Sequence, residues 1–394
     1  MKVWIENPFD NLPPEGFRPQ RYWMMASAFA AAGHEVVYWT SAFSHAKKAP
    51  RKLQQDFFGY GFALRTVPTP PYDANVSLAR LRSHRAYARN WLRLAREEIA
   101  GSGAPELLVV SAPPLSTGAV ALHLKRRYGC RLVTDVQDAW PETFRRLLPR
   151  GFRWLAPLVF LPLTRAARRL YRGSDRVTGV CDAYAELLRK YGVDRYSRTY
   201  LGIRLSSCAS RPSGDDESFH LVYAGNLGRS YDLETALRAV ARLEFVRFTV
   251  AGEGERIDAL RELVRRLGIG SRVEFAGYLS EGALAKLLLN ADAGLVPMER
   301  SSCVGIPNKF ADYANASLAI VSSLEGESAA LLERYSAGLL YRAGDAAGLA
   351  GAIIAAREEL PIYRHGSRRL AEAEFDADRL YREYVDGVVG DGDK

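Results

Sequence analysis

The chain has 394 residues, a formal net charge of +9, 48% hydrophobic residues and 25% charged residues. That length is too great for one hydrophobic core and predicts two domains of roughly 150 to 200 residues each, with a composition ordinary for a soluble globular protein. The cysteines Cys130, Cys181, Cys208 and Cys303 are scattered without CxxC spacing, and no signal peptide precedes the first strand. This predicts a reducing cytoplasm and excludes a disulfide framework and structural zinc.

Lys2 to Ile5 reads as an opening strand that runs into a proline-rich surface loop, Asn7 to Gln20. A helix over Arg21 to Ala32, closed by Gly33, and a strand over His34 to Thr40 complete a βαβ unit and imply a parallel sheet. Residues 41 to 75 read as irregular, and Leu78 to Ile99 as a basic helix. The alternation resumes with strand Glu106 to Val110, the loop SAPPLS, helix Gly118 to Arg127 and strand Arg131 to Val136. Asp135 and Asp138 fall at the C-terminal end of that strand, where ligands bind in open α/β sheets; each serves equally well as a site carboxylate or as a local hydrogen-bond acceptor. Strand Arg176 to Val180, helix Ala183 to Tyr191 and strand Arg198 to Leu201 end this first domain.

The segment Pro141 to Arg172 carries arginines 145, 146, 150, 153, 165, 168, 169 and 172 with Glu142 as its one acid, around the apolar run Trp154 to Leu163. That run is too short to span a bilayer. Its pattern fits a face resting on an anionic membrane, or equally a buried helix whose arginines reach out to solvent. No helix-turn-helix spacing or aromatic-and-basic stacking motif accompanies the charge, which disfavours nucleic acid as a partner.

Residues 206–218 are polar and turn-rich and read as a linker between a first domain, 1–205, and a second, 219–360, with closing helices over 361–394. The second domain starts with strand Phe219 to Gly225 and helix Leu233 to Leu243. Strand Arg247 to Ala251 with helix Arg256 to Leu267, and strand Arg272 to Phe275 with helix Gly282 to Asn290, follow. After strand Ala293 to Val296 comes SSCVGIPNKFADYANASLAIVSS, read as a loop, a helix over Asn308 to Ala316 and a strand over Leu318 to Val321. Helix Glu327 to Tyr335, strand Gly338 to Tyr341, helix Ala346 to Arg357 and closing helices from Ile362 to Val389 complete the chain. Every strand is followed by a helix, so the fold class is α/β: two Rossmann-like, doubly wound domains facing across a cleft.

The loops Gly225 to Ser230, Gly252 to Glu255 and Gly305 to Asn308 each lie between a strand and a helix, where backbone N–H groups can meet an anion. With Arg229 and Lys309 among them they predict a diphosphate site. Lys309 and Asp312 are three apart on one helical face; they suit a ligand with phosphates and hydroxyls, or form a surface ion pair. There is no GxGxxG followed by its acid, no GxxxxGK[ST], no HExxH and no GxSxG. Dehydrogenases, P-loop NTPases, zinc proteases and serine hydrolases are therefore disfavoured. Asp135 and Asp138 are not the Asp-x-Asp pair that grips a metal-bound nucleotide-sugar, which leaves cations and a helix N-terminus to neutralise a diphosphate.

The blocks YAGNLG, VAGEGE, VEFAGYLS, ADAGLVPM, IPNKFADYANASLAIVSS and AGLLYRAGD, with GHEVVYWT, SAPPLSTG and DVQDAWPE before them, resemble the GT-B glycosyltransferases of family 4, in the bacterial capsule, O-antigen and exopolysaccharide branch. The resemblance implies a metal-free, retaining enzyme with no cofactor, whose nucleotide-sugar donor, UDP- or GDP-linked, sits chiefly on the C-terminal domain. It places Gly225, Asn226, Gly228, Arg229, Glu253, Gly305, Ile306, Pro307, Asn308 and Lys309 on the donor side, Lys309 and Arg229 at the diphosphate, and Tyr278 and Leu279 at the base. Asp312 takes the position of the second of two family glutamates, at the ribose, whereas Val304 stands where the first is expected, near the sugar. Backbone groups of Gly305 and Ile306 would then hold the sugar, or a deoxy or amino sugar is used. Ser317 and Ala319 replace the family's glycine-and-proline ending.

On the acceptor side the resemblance points to Asp138, with Asp135 second, near the reacting centre, and to Glu15, Gly16 and Arg18 at the acceptor or diphosphate. It implies a glycan or lipid-linked acceptor, and it favours Arg145 to Arg172 as a contact with an anionic membrane surface, the protein being cytoplasmic and peripheral on the inner face of the cell membrane. Two other readings share the architecture: a non-catalytic nucleotide-sugar-binding partner protein and a nucleotide-sugar epimerase.

Overall fold

The computed structural model describes residues 1–53, 60–74, 77–148, 150–206, 218–299 and 305–390. The chain divides into two units: Met1–Tyr200 joined by residues from Asp378 onward, and Leu201–Ala377. Most of the 206–218 segment read as a linker, together with Val304, Cys208 and Cys303, lies outside the described residues.

In the first unit, β1 (Lys2–Glu6), α1 (Arg21–Ala31) and β2 (Glu35–Ser41) form the opening βαβ. A small hairpin, β3 (Phe43–Ser44) with β4 (Ala49–Pro50), and a strand β5 (Ala63–Val67) follow. The 41–75 stretch is thus not irregular: β5 pairs in parallel with β2 from Val37↔Ala63 to Ser41↔Val67 and closes that edge of the sheet. Its sequence, ALRTV, is too short and mixed to declare itself, and pairing supplies the missing order. Then come α2 (Leu78–Ser102), β6 (Leu107–Ala112), α3 (Leu115–Tyr128), β7 (Arg131–Val136), α4 (Ala156–Val159), α5 (Leu161–Gly173), β8 (Arg176–Gly179), α6 (Ala183–Lys190) and β9 (Tyr196–Arg198).

The last strand lies earlier than the expected Arg198 to Leu201, and α3 begins three residues before the expected Gly118, directly after the prolines of SAPPLS. The run Trp154 to Leu163 is not one helix: a 3-10 turn, Arg150–Leu155, precedes the short α4, and Phe160 separates α4 from α5. Proline at the first turns of α4 and α5 accounts for the interruptions, since it starts a helix readily but cannot continue one.

All pairings in the seven-stranded sheet, order β5-β2-β1-β6-β7-β8-β9, are parallel. Its central strands are buried on both faces and mostly apolar; Leu107, Leu108, Val109 and Val110 are fully buried.

The second unit contains β10 (Phe219–Ala224), α7 (Leu233–Val240), β11 (Val246–Ala251), α8 (Ile257–Leu267), β12 (Val273–Gly277), α9 (Glu281–Leu289) and β13 (Ala293–Val296). It continues with α10 (Asn308–Asn315), β14 (Ala319–Ser322), α11 (Glu327–Tyr335), β15 (Gly338–Leu340), α12 (Ala346–Glu358) and α13 (Leu360–Leu370). The parallel sheet, order β12-β11-β10-β13-β14-β15, has the strand order of a dinucleotide-binding fold and reverses direction between β10 and β13. Its core gathers Phe219, Leu221, Tyr223, Phe248, Leu295 and Val321 with the inward faces of α7, α8 and α12.

The closing helices are split between the units. After α13 a π-helical turn, Ala371–Phe375, bends the chain into α14 (Ala377–Gly390), which belongs to the first unit. Arginines of two strands hold α14 there: Arg131 donates to the carbonyls of Val388 and Val389, and Arg176 to that of Gly387. These are terminal carbonyls without helical partners, and a cation beside them also opposes the helix dipole.

Candidate functional site

The second unit builds its site where the sheet order reverses, beyond the C-terminal ends of β10 and β13, the place where such sheets bind ligands. Lys309 stands in the first turn of α10. It is 7% exposed, its Nζ has no hydrogen-bond partner, and it lies 3.7 Å from the ring centre of Tyr231 and 4.3 Å from that of Tyr223. Burial lowers its pKa to about 7, against a weaker opposing pull from Asp312. A cation held against aromatic faces without an anionic hydrogen-bond partner is poised for one.

α10 is locked in place by its next turn. The Tyr313 ring sits on β13 where Gly294 leaves room, since a β-carbon there would come within 2.3 Å of the ring. The Tyr313 hydroxyl accepts from the Ala224 N–H at 2.9 Å and donates to the Leu295 carbonyl at 3.3 Å, tying the helix to the ends of both β10 and β13.

The loops after β10 and β11 are pressed together by glycine. Gly252 has φ +136°, and a β-carbon on it would lie 1.9 Å from the Gly225 carbonyl oxygen. One expectation for these loops is corrected. The N–H groups of Gly225, Leu227 and Gly252 are not available to an anion, because they donate to the carbonyls of Ala251, Glu253 and Gly277. These glycines let the two loops meet.

Around this frame Gly228, Gly305 and Ile306 are half-buried, Pro307 is buried, and Asn226, Glu253 and Asn308 are exposed. Ser328 donates to the Gly305 carbonyl, fixing the start of the loop that enters α10. Asp312 is half-buried one turn beyond Lys309. Arg229 is in a different situation from Lys309: its side chain is 86% exposed and pairs with Glu255 at 3.1 Å. Tyr278 is 71% exposed and Leu279 half-buried at the end of β12. Tyr223 and Tyr231 were not legible as site residues, because Tyr223 continues the inward face of β10 after Phe219 and Leu221 and reads as core.

In the first unit the two aspartates have opposite surroundings. Asp135 is fully buried and saturated: Arg21 donates to both its oxygens at 2.8 Å, Tyr22 at 2.9 Å and Thr178 at 2.6 Å. Despite desolvation, Arg21 and these hydrogen bonds hold its carboxyl below the usual range. Arg21 also donates to the carbonyls of Thr199 and Tyr200. This geometry makes Asp135 the anchor of α1, both of its oxygens being hydrogen-bonded within the fold. Asp138 is exposed beyond the end of β7, and the surrounding protein raises its pKa against the pull of Arg80.

The loop with Glu15, Gly16 and Arg18 is not wholly without regular structure: a 3-10 turn spans Pro13–Glu15 and ends at Gly16 with φ +85°. Glu15 is committed to a buried pair with Arg51, which also holds the Ser41 and Asp10 carbonyls, so the loop is fastened to the end of β2. Arg18 is half-buried.

The parallel sheets and these sites define a protein of two Rossmann-like domains. Residues 218–359 match the family model described as glycosyl transferases group 1, and residues 19–202 match the glycosyl transferase 4-like domain. The chain is a glycosyltransferase of the GT-B type. A comparison with curated proteins finds no match.

Among solved structures, sucrose-phosphate synthase from Thermosynechococcus elongatus aligns with a TM-score of 0.74 at 13% identity, over 99% of this chain and 98% of that one. The Anabaena protein HepE in complex with UDP and glucose aligns with a TM-score of 0.69 at 14% identity, over 99% and 100%. WaaG, a glycosyltransferase involved in lipopolysaccharide biosynthesis, aligns with a TM-score of 0.65 at 15% identity, over 98% and 100%. No described helix is long and apolar enough to cross a membrane.

Proposed function

We propose that the protein transfers a glycosyl group from a UDP- or GDP-linked donor to a glycan or lipid-linked acceptor in cell-surface polysaccharide synthesis, as the family 4 branch does, with retention and without a metal ion. The observation that carries this reading is Lys309, a buried ammonium enclosed by Tyr223 and Tyr231 at the reversal of the second sheet, with Nζ hydrogens to give. In transfer, the bond from the anomeric carbon to the diphosphate breaks and one to the acceptor oxygen forms, while the acceptor proton leaves with the diphosphate. Lys309⁺ and the N-terminus of α10 stabilise the charge that develops on that leaving group. Asp312 is placed to accept from the ribose hydroxyls. That HepE is described with UDP and with glucose supports a nucleotide-sugar at this fold.

Asp138 is the acceptor-side carboxylate of this reading. Its raised pKa suits a group that takes the acceptor proton and passes it on to the departing diphosphate; in its ionised form it instead steadies positive charge at the anomeric carbon. The acceptor is presented at a membrane: Trp154 is 74% and Leu158 69% exposed, beside exposed Arg153, Arg165, Arg168 and Arg169. Aromatic and aliphatic side chains among arginines match the interface of an anionic bilayer, which supports a peripheral position on the inner face of the cell membrane.

Incubation with a panel of UDP- and GDP-sugars tests the reading. Sugar release or transfer by the wild type, abolished in Lys309→Ala and Asp138→Asn, is the expected outcome. Donor binding with equal, negligible turnover in all three proteins would instead mark a non-catalytic binding partner, and release of an epimer without acceptor would mark an epimerase.

A further inference from the structure

A second group of charged and aromatic side chains lies in the first unit and comes from several separate stretches of chain. Arg80, in the first turn of α2, has its guanidinium 5.5 Å from the Phe9 ring centre, 5.5 Å from that of Trp140 and 5.9 Å from that of Tyr72. Its Nε donates to His84 Nε2 at 3.3 Å. Lys48, at the turn of the β3–β4 hairpin, lies 4.7 Å from the same Tyr72 ring and 3.2 Å from His45 Nδ1, which in turn is 2.5 Å from the Tyr72 hydroxyl. Lys48 adopts φ +51°, a left-handed conformation unusual for a non-glycine residue.

This cluster is electrostatically positive. Burial, reinforced by Lys48 and Arg80, lowers His45 to about 4, and burial with Arg80 and His45 lowers His84 to about 3, so both imidazoles are neutral at physiological pH. The carboxylates acting on it are Asp73, on Lys48, and Asp138, on which Arg80 acts. From Trp140 an aromatic path leads outward, to Phe144 at 4.4 Å and on to Phe160 at 5.9 Å, adjoining the exposed Leu158 and Val159.

We propose that Arg80 and Lys48 form an anion-binding subsite for a phosphate group of the acceptor, beside Asp138, with the apolar part of that acceptor lying along Trp140, Phe144 and Phe160. The inference rests on the glycosyl-transfer reading for the word acceptor, and on the side chains of the first unit alone for the subsite. Arg80 and Lys48 bring a guanidinium and an ammonium to the same aromatic rings, and the two together supply the charge and the N–H donors that phosphate oxygens accept from. The phosphate belongs either to a lipid carrier or to a soluble phosphorylated sugar.

Calorimetric titration of the full chain with geranyl phosphate, inorganic phosphate and uncharged geraniol tests this. Geranyl phosphate should bind, geraniol should not, and Arg80→Gln should weaken the phosphate by about tenfold or more. Lys48→Gln, at a surface turn, should weaken it less, and Arg80→Lys should restore part of the loss. Lys309→Ala should leave it within about twofold, which separates this subsite from the donor site. Affinity for geranyl phosphate well above that for inorganic phosphate assigns the lipid source; equal affinities assign the soluble one. Binding unchanged in both Arg80→Gln and Lys48→Gln, binding lost in Lys309→Ala, or no binding of either phosphate would overturn the proposal. Failure of UDP and GDP to bind would overturn the donor reading and leave these arms to decide the subsite.

Discussion

Gly225 and Lys309 are packed so closely that a β-carbon on the glycine would lie 3.1 Å from the lysine Nζ. The glycine that follows β10 therefore makes room for the one cation that α10 buries. A buried ammonium without a hydrogen-bond partner costs stability and is retained for what it binds. Lys309→Met should accordingly raise the unfolding free energy at pH 7 by about 1–3 kcal/mol while abolishing donor binding. Thermal unfolding and nucleotide titration of the same sample check both signs. A variant that loses stability and keeps affinity would show Lys309 to be a packing residue.

Asp135 and Asp138 are separated by one measurement each. Asp135→Ala leaves Arg21 buried without its partner and should cost about 3–5 kcal/mol, read by denaturant unfolding. Asp138→Asn should leave stability within about 0.5 kcal/mol and lower kcat by about 10²–10⁴-fold. Reversed results would return the catalytic role to Asp135.

Glu6, at the end of β1, is fully buried, and desolvation raises its pKa from 4.5 to about 8. Its folded pKa lies above its unfolded one, so its contribution to stability is complete below about pH 4.5 and is lost as pH rises through about 8. Asp10, raised to about 7 by burial, acts with the same sign. Unfolding free energy measured between pH 5 and 8 should fall more steeply in the wild type than in Glu6→Gln; parallel curves would contradict the assignment.

Flotation with anionic liposomes tests the membrane face. Replacing arginines 165, 168, 169 and 172 by glutamine should reduce bound protein, each arginine contributing about 1 kcal/mol near the surface. Trp154→Ser, which removes an exposed aromatic side chain, should reduce it further. No change with either variant would remove the membrane from the account.

The parallel architecture was legible because its signals are local: apolar runs, and glycine or proline at the strand-to-helix turns. What the sequence did not reveal was mostly long-range. Asp135 looked like a site carboxylate at a strand end, but its partner Arg21 lies 114 positions earlier. The β5 strand becomes a strand only by pairing with β2. Tyr223 has the alternation of a core residue, and only the arrival of α10 makes it a wall around Lys309. Arg80 was one arginine in a basic helix until Phe9, Tyr72 and Trp140 converged on it.

The central claim, a lysine-based and metal-free diphosphate site in the second unit, is tested most directly by titrating UDP and GDP at pH 8 in EDTA, using buffers of different ionisation enthalpy. Lys309, with a pKa of about 7 when free, is mostly neutral at that pH and must take up a proton to hold the diphosphate. The account predicts metal-free binding of one nucleotide with uptake approaching one proton, an uptake that disappears with the binding in Lys309→Met. Binding that appears only on adding magnesium, or that occurs without proton uptake, would contradict it.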